Sequence, residues 1–341
     1  MARVALITHE GAAHIPAYLH AIRDLDSVSD ACIVDEDGAV FAQAQKVIGD
    51  KLTDTYQSLT EMLRSQDPIL AIVTATGRKA PSLIRPVLEA GIHVLAEKPA
   101  CVEPDDFADL CELSDKKQVH LMLALGNRIN PWVQDARRIY QQNGIGDLYA
   151  VRGMTLADQT RIWNTERRNW TFNKSDAGGG HLIWLGIHQL DLILFLTGDR
   201  ITEVQAMAPN VGGGPIDVED LALVNFRMAS GAHGSMMSGY LLDHGYQIDT
   251  TIWGSKGWIR HGAGDRGVLE WHGTDPTMNA NPNRQFSYDS STAGYTPWVR
   301  ETIRAALGET PPPITGAEGL EVLRAIFAAY ESARTGQTIT I

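Results

Sequence analysis

The pattern of apolar and polar positions changes character about a third of the way along the chain. In the first part, short apolar runs alternate with helical spacers. Residues 4–8 (VALIT), 31–35 (ACIVD), 69–76 (ILAIVTAT), 93–99 (HVLAEKP) and 119–125 (VHLMLAL) read as buried strands. The segment Pro16–Arg23 and the run 82–91 (SLIRPVLEAG) read as helices between them. Gly91 is a helix stop, because glycine enters the left-handed region without a side-chain clash. Strands joined through helical spacers predict βαβ units, since parallel neighbours need a crossover between them. The first part therefore reads as a doubly wound nucleotide-binding domain.

After about residue 125 the rhythm changes. Residues 131–146 (PWVQDARRIYQQNGIG) predict one amphipathic helix ending at Gly144 or Gly146, and 147–157 a strand. A glycine-led helix starts at Gly178. Strand-like runs then follow at 201–208, 219–228, 231–242, 246–254 and 257–261, and two helical segments close the chain at 295–308 and 315–336. Successive strands with short turns predict an antiparallel sheet. The expected organisation is an α/β chain, with a nucleotide-binding domain over 1–124 and an α+β domain over 125–341.

Composition narrows the picture only modestly. The 341 residues exceed one typical core, which agrees with two domains. A formal net charge of −12, with no basic run longer than the short ERR at 166–168, argues against nucleic acid and anionic lipid as partners. Cys32, Cys101 and Cys111 make neither a disulfide framework nor a metal-binding spacing, which fits a cytoplasmic protein. The opening MARVALIT lacks the basic region and long apolar core of a signal peptide, and no run of about 20 apolar residues predicts a membrane span.

Candidate chemistry begins at the first strand-to-helix turn, where free backbone N–H groups and the helix dipole suit a dinucleotide pyrophosphate. In THEGAAH, Thr8, Glu10 and Ala13 occupy the three positions of a G-x-G-x-x-G fingerprint, with Gly11 beside them. Ala13 meets the need for a small side chain; a carboxylate at Glu10 must turn away from the phosphates. Asp35 ends the second strand, where an acid hydrogen-bonds ribose hydroxyls and repels a 2′-phosphate, favouring NAD over NADP. The other reading is that Asp35 only opens a turn with Glu36, Asp37 and Gly38. Thr74, Glu97 and Lys98 lie toward the ends of two further strands and join the candidate cofactor set.

Five motifs occur in order along the chain: AGIHVLAEKP (90–99) with Glu97-Lys98-Pro99, GNRINP (126–131), NGIGDLYAVRG (143–153), GGGHLIWLGIHQLD (178–191) and IWGSKGWI (252–259). Together they resemble the glucose–fructose oxidoreductase, inositol dehydrogenase and MocA (Gfo/Idh/MocA) family. The resemblance implies an N-terminal Rossmann domain and a C-terminal domain on an open, mainly antiparallel sheet. It also implies a nicotinamide cofactor, a sugar or polyol substrate, and a homodimer or homotetramer assembled through that sheet. Three features depart from the family pattern: the missing pyrophosphate glycines, TATGRKA (74–80) in place of a Thr-Pro turn followed by histidine, and Trp184 where the family usually has aspartate.

The family match gives Lys98 the task of binding and polarising the reacting hydroxyl. His188 is the candidate general acid/base, since imidazole changes charge near neutral pH. Asp191, three residues on, can orient its ring on a helix. His181, Trp184, His188 and Asp191 follow at steps of three, four and three, which predicts one helical face lining a substrate site. An indole at 184 stabilises imidazolium far less than a carboxylate, so His188 is expected to be less basic than in relatives with aspartate. His181 and His188 lie about 10 Å apart along a helix and do not suit one metal ion. Asn127, Arg128, Arg161, Trp163 and Trp170 complete the candidate substrate set, with Arg167 and Arg168 in the same aromatic-rich connection. Arginines bind hydroxyls or carboxylates and tryptophan faces pack on sugars. Each of these also reads as a solvated arginine or a core tryptophan.

The expected activity is NAD-dependent oxidation of a secondary hydroxyl, or reduction of the ketone, of a sugar, polyol or glycoside. Two other readings stand beside it: glycoside cleavage through a transient keto-sugar, and a non-catalytic sensor of NAD or sugar.

Overall fold

The computed structural model describes residues 1–158, 169–212, 216–262, 268–274, 283–287 (backbone only) and 293–341. The chain forms two compact units. The first is Met1–Gly126 with Ser175–Gly178 and Ala293–Leu320; the second is Asn127–Lys174, Gly179–Thr292 and Glu321–Ile341. The main break thus lies close to residue 125, and the segment 293–320 returns to the first unit.

In the first unit the strands are β1 (Ala2–Thr8), β2 (Val28–Asp35), β3 (Leu52–Tyr56), β4 (Leu70–Val73), β5 (His93–Ala96) and β6 (Leu121–Leu123). They form one parallel sheet in the order β3-β2-β1-β4-β5-β6. This is the doubly wound order whose direction reverses between β1 and β4, and ligands bind at the carboxyl ends of strands at that reversal. β1 and β4 are almost continuously buried, as strands covered on both faces must be. The edge strand β3 escaped sequence reading, as did helices Phe41–Ile48 and Leu59–Ser65. β3 reads LTDTY, is largely exposed and offers no apolar run.

Two close approaches set the local geometry of this unit. Gly91 ends the helix Ala80–Glu89 at φ +80°, as its sequence position predicts. A β-carbon on Gly126 would come within 3.0 Å of the Trp298 ring, so the absence of a side chain lets the helix Tyr295–Ala306 seat there.

In the second unit, nine strands run β14-β13-β12-β11-β7-β10-β9-β8-β15. They comprise β7 (Leu148–Ala157), β8 (Ile201–Met207), β9 (Leu221–Met228), β10 (His233–Gly239), β11 (Tyr246–Gly254), β12 (Gly257–His261), β13 (Val268–Gly273), β14 (Asn283–Ser287) and β15 (Ile339–Thr340). Every pairing is antiparallel except β7 with β10. β9 alternates strictly between buried and exposed positions, as expected for a sheet with one covered face.

Two expectations about helices are corrected. The helix Pro131–Gln141 does not end on a glycine: Asn143 takes the left-handed conformation, and the Gly144 N–H closes back on Ile139 O at 2.9 Å. Asparagine tolerates that region because its short side chain bonds locally. The glycine-led segment is also not one regular helix. Leu182–Gly186 forms a π turn before the α-helix Ile187–Thr197. The wider turn breaks the regular 3.6-residue repeat on which the single-face expectation rested.

The glycines before this turn serve backbone packing. A β-carbon on Gly179 would lie 2.1 Å from the Tyr330 hydroxyl, and one on Gly180 would lie 2.0 Å from the Glu219 carbonyl oxygen. Lys174–Thr197 is long and apolar enough to cross a membrane by length and mean composition, although His181, His188, Gln189 and Asp191 interrupt its apolar run. However, 83% of its most apolar window is buried inside the protein, as in a core helix.

Candidate active site

Within the first unit, candidate cofactor residues gather at the carboxyl ends of β1, β2, β4 and β5. Thr8 is the last residue of β1 and is buried. Gly11 has φ +77°, and a β-carbon there would meet nothing within 4 Å. His14 caps the helix Ile15–Asp24 in a left-handed conformation and makes no side-chain cap, and the first turn of that helix carries no acid. Its leading N–H groups therefore face no carboxylate of their own first turn, which suits an anion. Glu10 is exposed, so its side chain has a solvent route away from that turn. The Thr74 hydroxyl donates to the Ala13 carbonyl at 2.6 Å, tying the end of β4 to the turn. Asp35 is 1% exposed; its oxygens accept the backbone N–H groups of Asp37 (3.3 Å) and Val40 (2.8 Å). The turn-opening role is therefore observed, and carboxylate lone pairs remain for a ribose hydroxyl.

Glu97 and Lys98 follow β5, each only 1% exposed. The Tyr18 hydroxyl donates to Glu97 Oε2, and Glu97 Oε1 has no hydrogen-bond partner among the described residues. Burial pushes the Glu97 carboxyl up to about 7, against the pull of Lys98 and the Tyr18 bond. Burial likewise draws the Lys98 amine down to about 7, opposed by Glu97. Burial thus brings both groups toward neutral pH, and each opposes the other's shift. His14 is pulled down to about 3, chiefly by burial and then by Lys98, and its ring lies 5.1 Å from that of Tyr295. The open Gly11 turn, the acid-free helix start and the unsatisfied Glu97 oxygen fit a dinucleotide at this strand edge.

A separate pocket of about 200 Å³ lies within the second unit. Its polar wall is Asn127, Asn130, Thr155, His188, Gln189 and His261; its apolar wall is Trp132, Leu185, Leu192, Tyr246, Ile248 and Gly262. The helix Ile187–Thr197 presents half-buried His188 to this space. Gln189 clamps the same helix to the sheet: its amide donates to Met154 O (3.1 Å), and its oxygen accepts from the Thr250 hydroxyl (3.2 Å).

The other predicted residues divide clearly. Asn127 and His188 line the pocket, whereas Arg128, Trp170, His181, Trp184 and Asp191 are not among its lining residues. Asp191 is fully buried and accepts from Arg128 Nε at 2.8 Å and Nη2 at 2.6 Å. The expected orienting carboxylate is therefore held by an arginine, and that pair fastens the turn Gly126–Ile129 to the helix. His181 packs into the core, with Nδ1 2.6 Å from Ser238 Oγ and its ring edge-on to Tyr240. Trp184 meets Trp170 edge-to-face at 5.4 Å, which engages both indoles with each other. Arg161 and Trp163, with Arg167 and Arg168, lie outside the described residues.

Sequence reasoning missed Asn130, Trp132, Thr155, Gln189, Tyr246 and His261. Thr155 and Tyr246 come together through the register of β7 with β11, which no local pattern reveals. His261 had one signal, its place just before Gly262 at the end of a strand.

Comparison with known proteins follows the same two-part division. Residues 5–125 match a model described as "Oxidoreductase family, NAD-binding Rossmann fold", and residues 133–260 match the GFO/IDH/MocA C-terminal domain. The chain is 24% identical over 337 residues to D-apiose dehydrogenase of Paraburkholderia graminis, covering 95% of this chain and 86% of that one. It is 26% identical over 326 residues to 1,5-anhydro-D-fructose reductase of Ensifer adhaerens, covering 90% and 88%. In fold it is similar to the WlbA dehydrogenase of Bordetella pertussis in complex with NADH and UDP-GlcNAcA. That match has a TM-score of 0.85 and 22% identity, over 100% of this chain and 98% of that one.

Proposed function

Because the chain belongs to the Gfo/Idh/MocA oxidoreductase family, whose first module is an NAD-binding Rossmann fold, we propose that it interconverts a secondary hydroxyl and the matching ketone of a sugar, polyol or glycoside. When bound, NAD supplies the two-electron acceptor. The acid-free start of the first helix and Gly11 would hold its pyrophosphate. Asp35 would bind the ribose hydroxyls and disfavour a 2′-phosphate, so NAD is the cofactor rather than NADP. Thr74 and Glu97 form the rim at the strand ends.

The observation that carries this reading is Lys98: a lysine 1% exposed at a strand end, with its amine drawn down to about 7. Protonated, it stabilises negative charge growing on the substrate oxygen; neutral, it takes a hydrogen bond from the hydroxyl. Within the pocket of the second unit, His188 is the candidate general acid/base, since imidazole takes up and returns a proton near neutral pH. The pocket wall mixes tryptophan, tyrosine and aliphatic faces with amides and a hydroxyl, the composition that a polyhydroxylated ring requires. A screen of sugars, polyols and glycosides for NADH formation, with product release followed in parallel, tests the assignment. Cleavage of a glycoside substrate without net NADH would instead favour the recycling glycosidase mechanism.

We place the chain in a reducing cytoplasm, in keeping with its three buried thiols. It assembles as a homodimer or homotetramer through the exposed sheet face. Met207, Leu223 and Met237 stand on adjacent strands in register, exposed by 69%, 38% and 37%. Such a strip of large apolar side chains on neighbouring strands is the usual mark of a covered surface.

A further inference from the structure

The pocket wall carries a second imidazole that the reaction above does not use. His261 is the last residue of β12, pairs with Thr250 of β11 and is 4% exposed. Its Nε2 is buried with no hydrogen-bond partner among the described residues, and the residue lines the same pocket as His188. The next residue, Gly262, has φ +86°, and a β-carbon there would lie 2.9 Å from the Ile248 carbonyl oxygen. The chain therefore turns sharply against β11, which fixes the ring at the strand end.

The chemistry of this wall narrows what it can bind. Burial draws His261 down to about 4, with Asp249 offsetting part of the shift, so the ring is neutral at physiological pH. A neutral imidazole offers one donor and one acceptor, which a hydroxyl complements in either direction. Among the described lining residues there is no lysine, arginine, aspartate or glutamate. Among the described residues of this wall, a carboxylate or phosphate would lose its hydration without gaining a cation.

We propose that His261 Nε2 hydrogen-bonds a hydroxyl of an uncharged sugar or polyol, making His261 a specificity-determining residue. This rests on the sugar-oxidoreductase reading and names the substrate class for it. A site built to hydrogen-bond a hydroxyl discriminates strongly against ligands that leave its buried polar atom unpaired.

The test uses the full chain loaded with NAD or NADH and a panel of neutral aldoses, anhydrosugars and inositols beside uronic acids. His261→Phe keeps ring volume but removes the nitrogens. His261→Gln can place an amide near Nε2, and the shorter His261→Asn cannot. Steady-state kcat and KM are measured, with binding of the best neutral probe to the NADH complex and of NADH itself. In His261→Phe, KM and the probe Kd rise by about 10- to 100-fold, while kcat and NADH binding stay within about threefold. His261→Gln recovers most of the loss and His261→Asn does not. If the Phe variant does not fold, the contrast between Gln and Asn decides. Unchanged KM and Kd across the variants, or a wild-type preference for uronic acids, overturns this inference while leaving the oxidoreductase reading intact. A wild-type protein that neither binds nor oxidises any panel member overturns both.

Discussion

At the residue scale, the most informative group is the buried trio Tyr18, Glu97 and Lys98. The motif Glu-Lys-Pro was legible in the sequence, and with it the candidacy of Lys98. The tyrosine was not, because it lies 79 residues from Glu97 and only the fold brings its hydroxyl to the carboxylate. Its bond favours the ionised carboxylate, and that charge in turn favours protonated Lys98. Tyr18→Phe therefore raises the Glu97 pKa and lowers that of Lys98. The limb of the pH–rate profile that reports this lysine should move to lower pH, with NADH binding retained. A profile superimposable on the wild type would count against this coupling.

At the element scale, the helix bearing His188 was found in the sequence, but its geometry was not. Steps of three, four and three describe one face only if the turn stays α-helical, and the π turn at Leu182–Gly186 interrupts it. His181 and Asp191 consequently serve the core, through Ser238 and Arg128, while His188 alone of the four lines the pocket. The same elements explain a stability prediction. Arg128 and Asp191 are 3% and 0% exposed in their side chains, so removing one leaves a buried charge without its partner. Arg128→Ala should lower unfolding free energy by about 3–5 kcal/mol in denaturant titration. A loss below about 1 kcal/mol would place that pair in solvent-like surroundings. Edge strands mark the other limit of sequence reading: β3 is polar, and β15 is two residues long, so neither carries a periodic signal of its own.

At the scale of the whole molecule, the two-part organisation was legible because strand spacing changes near residue 125. The return of 293–320 to the first unit was not, since a helix reports its apolar face but not which core covers it. The nine-stranded sheet was expected as mainly antiparallel, and it is, with one parallel pairing, β7 with β10. Its exposed apolar strip leads to a prediction about assembly. Leu223→Lys combined with Met237→Lys should shift the particle in light scattering from an oligomer toward the 37.3 kDa protomer. The same oligomeric mass in both proteins would move the interface elsewhere.

The central claim is that a buried Lys98 activates a sugar or polyol hydroxyl for NAD-dependent oxidation. The most direct measurement is the rate of NADH formation with the best neutral substrate, compared between wild type and Lys98→Ala, with cofactor binding followed separately. The account predicts robust turnover by the wild type and a fall in kcat/KM of about 10²- to 10⁴-fold in the variant, with NADH still bound. Equal rates in the two proteins would contradict it.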